Sequence, residues 1–475
     1  MVNCFLGRFV RRSKWVLYAG VGLDVAFLVA CRLIPLPQPG VSYLMFSLIS
    51  YLIDVSRETV APARVGLFTA YGTLFPRMVT GPITRAGDIL PQLEQPKCTP
   101  ERVEKGAGLL ILGLGYKVLL ADALSGLWSA AGKIGYESLS MPMAWLCAVG
   151  FSLQLYFDFH GCTLMAVGLG RMMGVKLPEN FDFPYLSRSV SEFYRRWHIT
   201  LGMWFRDYVY IPLGGSRKGT RRTLVNLAAV WLLTGLWHGL HLNFLIWGAF
   251  LCLWIALEKL GLRNMLDRHV ILSHVYLLFV IVLSWVIFAV NTPGELLTYF
   301  FRLFCFGYAP AGSFVDPMDW MRYLPRFAPY LIAGVFFSLP FGERAIRKYQ
   351  TRWPVRILLF LIFLVCGGKA VGAQWYTVFV CPVLRRGRDE AEMESSVEAV
   401  PASRTAGCLC AFDRSDRACP AIQAPGTPSG GWTEDPIFDR HLPLSERRAP
   451  GSGQPVPRSA GQACADAGTG DHKTV

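Results

Sequence analysis

The sequence predicts an all-α, polytopic membrane protein, and three features carry that prediction. Of its 475 residues, 53% are apolar and 17% charged, too little charge to cover a water-soluble protein of this length. Apolar stretches recur near residues 15–34, 41–54, 65–80, 107–121, 143–157, 161–174, 224–239, 242–257, 270–290, 328–340 and 355–380. The basic excess lies between them. Before Arg385 there are 36 basic and 20 acidic residues, net +16, against 11 and 13, net −2, from there onward. Basic residues between apolar runs mark cytoplasmic loops facing anionic lipid. The same placement argues against nucleic acid as a partner.

At the start of the chain, Arg8, Arg11, Arg12 and Lys14 precede an apolar run from Trp15 to Cys31. Leu28-Val29-Ala30-Cys31 resembles a lipoprotein cleavage box, but the run is long, holds Asp24 and leads into further apolar sequence. A first membrane anchor is the favoured reading. A helical span needs about 20 residues, so the shorter runs are read as tilted or re-entrant pieces, and eight to ten membrane segments are expected. The polar stretch Pro178–Arg222 alternates arginines (Arg188, Arg195, Arg196, Arg206) with aromatics (Tyr185, Phe193, Trp197, Trp204, Tyr208). That pattern suits a segment lying in the membrane interface on the cytoplasmic side, and equally a basic loop that only fixes topology. After about Pro382 apolar periodicity stops and Pro, Gly, Ser, Ala and Arg dominate. The expected organisation is therefore a membrane domain over residues 1–382 and a disordered tail over residues 383–475.

Chemistry-bearing residues concentrate in few places. His238 ends an apolar run in Leu233-Thr234-Gly235-Leu236-Trp237-His238-Gly239. An imidazole in a membrane segment needs a cavity or a partner, and its near-neutral pKa suits a general base acting on a hydroxyl. Gly235 and Gly239 would let a substrate or a second helix come close. The alternative is a histidine bonded to a neighbouring helix for packing alone. His198 follows Glu192, Arg195 and Arg196; on a continuous helix Arg195 and His198 would share a face able to bind an anion. His241 would stack beside His238 if the helix ran on. Asp158 and His160 either serve a cavity or cap a helix end. The 13 cysteines lack zinc-ligand spacing, so no metal is expected. No P-loop, dinucleotide fingerprint, HExxH or GxSxG occurs.

Longer stretches narrow this further. They are SYLIDVSR (50–57), FPRMVTGPITR (75–85), GLGYKVLLAD (113–122), LQLYFDF (153–159), GLGRMMGVKLPENFDFPYLSRSVSEFYRRWHITL (168–201), FRDYVYIPLGG (205–215) and LLTGLWHGLHLNFLIWG (232–248). On these residues the chain, from Tyr43 to Asn291, resembles the membrane-bound O-acyltransferases. The similarity is to the bacterial branch of the alginate O-acetyltransferase and the D-alanyl transfer protein of teichoic acid. The resemblance implies a ring of tilted transmembrane and re-entrant helices around a central funnel or tunnel. It places His238 at the family's catalytic histidine and His198 at its second characteristic one. It makes Arg195, Trp237, Asp158 and Asn243 candidates for binding substrate. It implies transfer of an acyl group, usually acetyl, from a cytoplasmic donor toward hydroxyls of an exported polysaccharide or carrier. Acetyl-CoA is the candidate donor, with no bound cofactor. An extracytoplasmic partner protein and the bacterial inner membrane complete the expectation. Against the family pattern the chain reads as shortened at its N-terminus. A membrane transporter or flippase with a histidine proton relay, and an inactive scaffold of a polysaccharide export complex, stay open as other readings.

Overall fold

Glycines decide where the longest helices meet. A computed structural model describes residues 1–34, 40–78, 80–305 and 313–371. The tail expected over residues 383–475 lies outside them. Among the described residues every regular element is helical, with one isolated bridge between Phe181 and Trp197. The principal helices are α1 (Lys14–Leu33), α2 (Val41–Ser56), α3 (Pro100–Gly115), α4 (Asp122–Ile134) and α5 (Met141–Met172). They are followed by α6 (Val190–Arg196), α7 (Ile199–Phe205), α8 (Gly219–His238), α9 (Leu242–Leu257) and α10 (Val270–Ala289). The last are α11 (Asp319–Phe337), α12 (Pro340–Tyr349) and α13 (Trp353–Val371).

α5 is the longest element at 32 residues, and most of it is buried within the protein. It runs against α3 through two glycine pairs. A Cβ on Gly113 would lie 2.5 Å from the Gly161 carbonyl oxygen, and one on Gly106 would lie 2.6 Å from that of Gly168. Without those methyls the backbones close up, the contact small residues give to helices in lipid. The pairing also buries charge. Lys117, in the π-helical turn Tyr116–Ala121 joining α3 to α4, meets Asp158 of α5 at 2.9 Å and Asp122 at 2.7 Å.

Among the described residues, four segments are long and apolar enough to cross a membrane: Lys14–Leu33, Pro100–Ile134, Leu242–Arg268 and Val270–Ala289. A fifth exists if α11 and α12, bent by 71° at their junction, count as one broken span. This is fewer than the eight to ten expected, for two reasons. Runs such as 65–80 fold as the short helix Val65–Gly72 and a turn. α5 is long enough but carries Gln154, Asp158 and His160 inward, which lowers its apolarity. Outward faces are apolar instead: Phe27 and Val29 on α1, Ile271 and Val275 on α10, and Phe360, Leu361 and Leu364 on α13 are all exposed. Such surfaces suit lipid and not water. The protein is membrane-integral.

Three of the motif stretches converge at one end of α2. Asp54, almost fully buried, accepts the proton of the Tyr208 hydroxyl, shared between its two carboxylate oxygens at 2.9 and 2.8 Å. Asp207 next to it pairs with Arg85 and with Arg206. The SYLIDVSR, PITR and FRDYVY segments are thus one polar knot, tying the interface segment to the membrane helices.

Candidate functional site

α8 and α9 approach each other as closely as α3 and α5 do. A Cβ on Gly235 would sit 2.5 Å from the Phe244 carbonyl oxygen, and one on Gly248 would sit 2.5 Å from that of Trp231. The glycine expected to admit a substrate or a helix therefore admits a helix. That contact fixes the last turn of α8, whose final residue is His238. Its half-buried imidazole is walled by aromatic rings: Trp237 at 4.5 Å, Phe288 at 5.0 Å, Trp247 at 5.1 Å and Phe244 at 6.0 Å between centroids. Among the described residues, no hydrogen bond to this imidazole is found, so neither ring nitrogen is committed to holding the fold.

Trp237 faces two ways. Its indole lies 6.1 Å from the His198 ring, and Tyr43 and Phe46 pack on it at 6.3 and 5.9 Å. The two histidines are thus set about one tryptophan, whose buried indole N–H has no hydrogen-bond partner.

His198 is held by local geometry that the sequence pattern does not announce. α6 stops at Arg196, Trp197 turns extended and bridges back to Phe181, and His198 takes a left-handed conformation with φ 46° and ψ 53°. A non-glycine residue held there is strained, and such strain concentrates at functional positions. Asn180 secures it. Its side-chain oxygen accepts from the Thr200 amide at 3.2 Å and the Thr200 hydroxyl at 2.7 Å, and faces His198 Nδ1 at 3.4 Å. Because two donors already identify that atom as the oxygen, it can only accept from the ring. The proton of neutral His198 then resides on Nδ1, and Nε2, buried and without a partner, carries the lone pair.

The remaining candidates fall into four places. Asn243 is buried, and its amide donates to the carbonyls of Ile287 at 3.4 Å and Phe288 at 3.1 Å, tying α9 to the end of α10. Its Oδ1 has no partner. Arg195 does not share a helix face with His198, because the helix ends between them. It is exposed on a cleft of about 450 Å³ that Arg188, Arg196 and Arg263 also line. Asp158 and His160 do not cap a helix; both lie in mid-α5, Asp158 paired with Lys117 and His160 with Glu343 of α12 at 2.9 Å. His241 is exposed ahead of α9 and does not stack under His238, since Gly239 leaves the helix in an extended conformation. Sequence reasoning missed Asn180 and Trp247. Both lie inside quoted motifs, but an asparagine beside Glu179 and one tryptophan among several offered no separate signal.

At the interface end, the Asp207 carboxyl is held below the usual carboxylate range. Burial pushes it up, but hydrogen bonds from Arg206 and Arg85 outweigh that.

A helical membrane protein with two histidines set about one tryptophan is the class that fold and site define. Within it, the chain belongs to the membrane-bound O-acyltransferase family, whose model matches residues 66–301. A probable alginate O-acetylase of Pseudomonas putida is 38% identical over 283 residues, which are 59% of this chain and 57% of that protein. The peptidoglycan O-acetyltransferase of Helicobacter pylori is 36% identical over 38% of this chain and 35% of its own length. The teichoic acid D-alanyltransferase of Streptococcus thermophilus is 28% identical over 54% of this chain and 67% of its own. The chain spans between half and two thirds of the length of the alginate O-acetylases it matches.

Proposed function

We propose that this protein is a membrane O-acyltransferase that moves acetyl groups from a cytoplasmic donor toward hydroxyls of an exported polysaccharide, with His238 as the general base. The observation that carries the reading is the uncommitted His238 imidazole, set at a close helix crossing with Trp237 between it and His198. A packing histidine would spend its nitrogens on a neighbour. This one has both available.

In the proposed step His238 accepts the proton of an acceptor hydroxyl as its oxygen attacks the acyl carbonyl. The tetrahedral adduct collapses, the bond to the donor breaks, and the proton passes from the imidazolium to the leaving group. The outcome is one ester formed and one acyl–donor bond broken, with no redox change. A positioned base contributes about 10²–10⁴-fold to such a rate. His198 serves as the second catalytic residue: its Nε2 lone pair accepts from a neighbouring hydroxyl of the acceptor and so holds the attacking one in line. Trp237 and the Asn243 Oδ1 contact substrate. Arg195, on its arginine-lined cleft, meets the anionic portion of the donor, for which acetyl-CoA is the candidate. Asp158 supports the site indirectly, by holding α5 to the α3–α4 turn through Lys117. The bacterial inner membrane is the proposed location, and a separate extracytoplasmic protein completes delivery to the polymer.

The family's named relatives act on alginate, peptidoglycan and teichoic acid, so the test leaves the acceptor open. Cells lacking the gene, and the same cells complemented with it, are compared by mass spectrometry of their surface polymers. Acetyl ester that disappears on deletion and returns on complementation supports the reading. An unchanged acetyl content in every polymer fraction removes it.

A further inference from the structure

Glu258 stands at the end of α9, in the π-helical turn Glu258–Leu262. It belongs to the apolar segment Leu242–Arg268, and it is almost completely buried. A carboxylate in that position is costly unless donors surround it. Four do. Oε1 accepts from the Val190 amide at 2.5 Å and the Tyr276 hydroxyl at 3.1 Å. Oε2 accepts from the Ser191 amide at 3.0 Å and the Ser191 hydroxyl at 2.6 Å.

Those two amides are the first two of α6. The third, on Glu192, donates to Ser189 Oγ at 3.1 Å. A helix start leaves its early N–H groups without partners of its own, and here a carboxylate on a distant helix supplies the missing acceptors. α6 has seven residues, far short of the roughly 12–15 at which an isolated helix begins to hold. Its position therefore depends on its ends. The far end runs through Trp197 directly into the left-handed turn at His198.

We propose that Glu258 is a positioning residue for His198: it anchors the start of α6 to α9 and α10, so that the rod ending at the second histidine is held in one place. The role rests on the acyltransferase reading above, in which His198 holds the acceptor. Glu258 touches no reacting atom. Its contribution is to the fraction of time the His198 ring spends in line. The same anchor joins the two walls of the arginine-lined cleft, one from α6 and one from the segment after Glu258.

The test uses the full chain purified in detergent, with Glu258→Gln, Glu258→Ala and Ser191→Ala. Two readouts are taken: amide hydrogen exchange, and acetyl transfer from acetyl-CoA to an acceptor polymer isolated from deletion cells, with the extracytoplasmic extract of those cells added to supply the delivery protein. The amide isostere keeps one oxygen but turns an NH₂ toward donors. Glu258→Gln is therefore expected to speed exchange across residues 188–197 while α3 and α5 keep their protection. It is expected to lower kcat about tenfold with KM for the donor within about twofold, the size of one lost hydrogen bond to a charged group. Glu258→Ala is expected to lose about a hundredfold by the same reckoning, and Ser191→Ala, which removes one donor of four, only about threefold. If Glu258→Ala does not fold, the other two variants carry the decision. Unchanged exchange at 188–197 overturns the anchor, and faster exchange with wild-type kcat overturns the positioning role. If the wild-type chain itself transfers nothing, the acyltransferase reading fails, and exchange alone decides whether Glu258 anchors α6.

Discussion

Asn180 carries more of the candidate site than any residue named in advance. One side-chain oxygen orders Thr200, fixes the tautomer of His198 and thereby leaves Nε2 as the available lone pair. Thr200 in turn accepts from the Ile83 amide at 3.0 Å, so the loop of the second motif is tied to the same point. Asn180→Ala leaves a buried amide and a hydroxyl without their acceptor. It should cost about 2 kcal/mol of stability, read from denaturant unfolding in detergent, while Asn180→Asp, which keeps an acceptor, recovers most of that loss. Asp207 is a case with a pH signature. Its folded pKa lies below its unfolded value, so its contribution is complete above about pH 4 and disappears as pH falls through the folded value. Asp207→Asn should therefore be less stable than wild type by about 1 kcal/mol at pH 7. That gap should close as the solution is acidified to about pH 2. A constant gap across that range would remove the ion-pair account.

Between elements, the decisive contacts are close helix crossings. Gly113 with Gly161, and Gly235 with Gly248, let backbones meet where any side chain would strike a carbonyl oxygen. Gly113→Val places methyl groups against the α5 backbone, which cannot rotate away as a flexible side chain could. It should destabilise the protein by about 3 kcal/mol or more, seen as lost folded yield and a lowered thermal midpoint. A neutral result would mean that α3 and α5 do not pack as described. This scale also shows where sequence reading ran out. The apolar run ending at His238 was legible, because a glycine-flanked histidine closing a hydrophobic stretch is chemically conspicuous. The shared face of Arg195 and His198 was not. Helical periodicity carries no sign that Trp197 leaves the helix to bridge Phe181, a contact made by a segment sixteen positions away. The stacking of His241 on His238 failed for the same reason, since one extended glycine ends the periodicity on which it relied.

Across the whole molecule, composition sufficed for a helical membrane protein, but counting apolar runs overstated the spans. Hydropathy cannot separate a run that faces lipid from one that faces protein, and the two runs 143–157 and 161–174 fold as the single helix α5, most of which is buried. The family motifs mattered more than any single residue, because they converge: the SYLIDVSR, PITR and FRDYVY stretches close one polar knot, and the PENFDF, RRWHIT and LWHG stretches meet about His198. The account of the molecule as an enzyme depends on the imidazole at the end of α8. The most direct measurement is the polymer-bound acetyl content of deletion cells complemented with wild type or with His238→Ala, at equal amounts of folded protein in the membrane. A base removed from its site should lower acetylation by about 10²-fold or more, to the level of the uncomplemented strain. Acetylation retained at the wild-type level with alanine at position 238 would contradict the assignment.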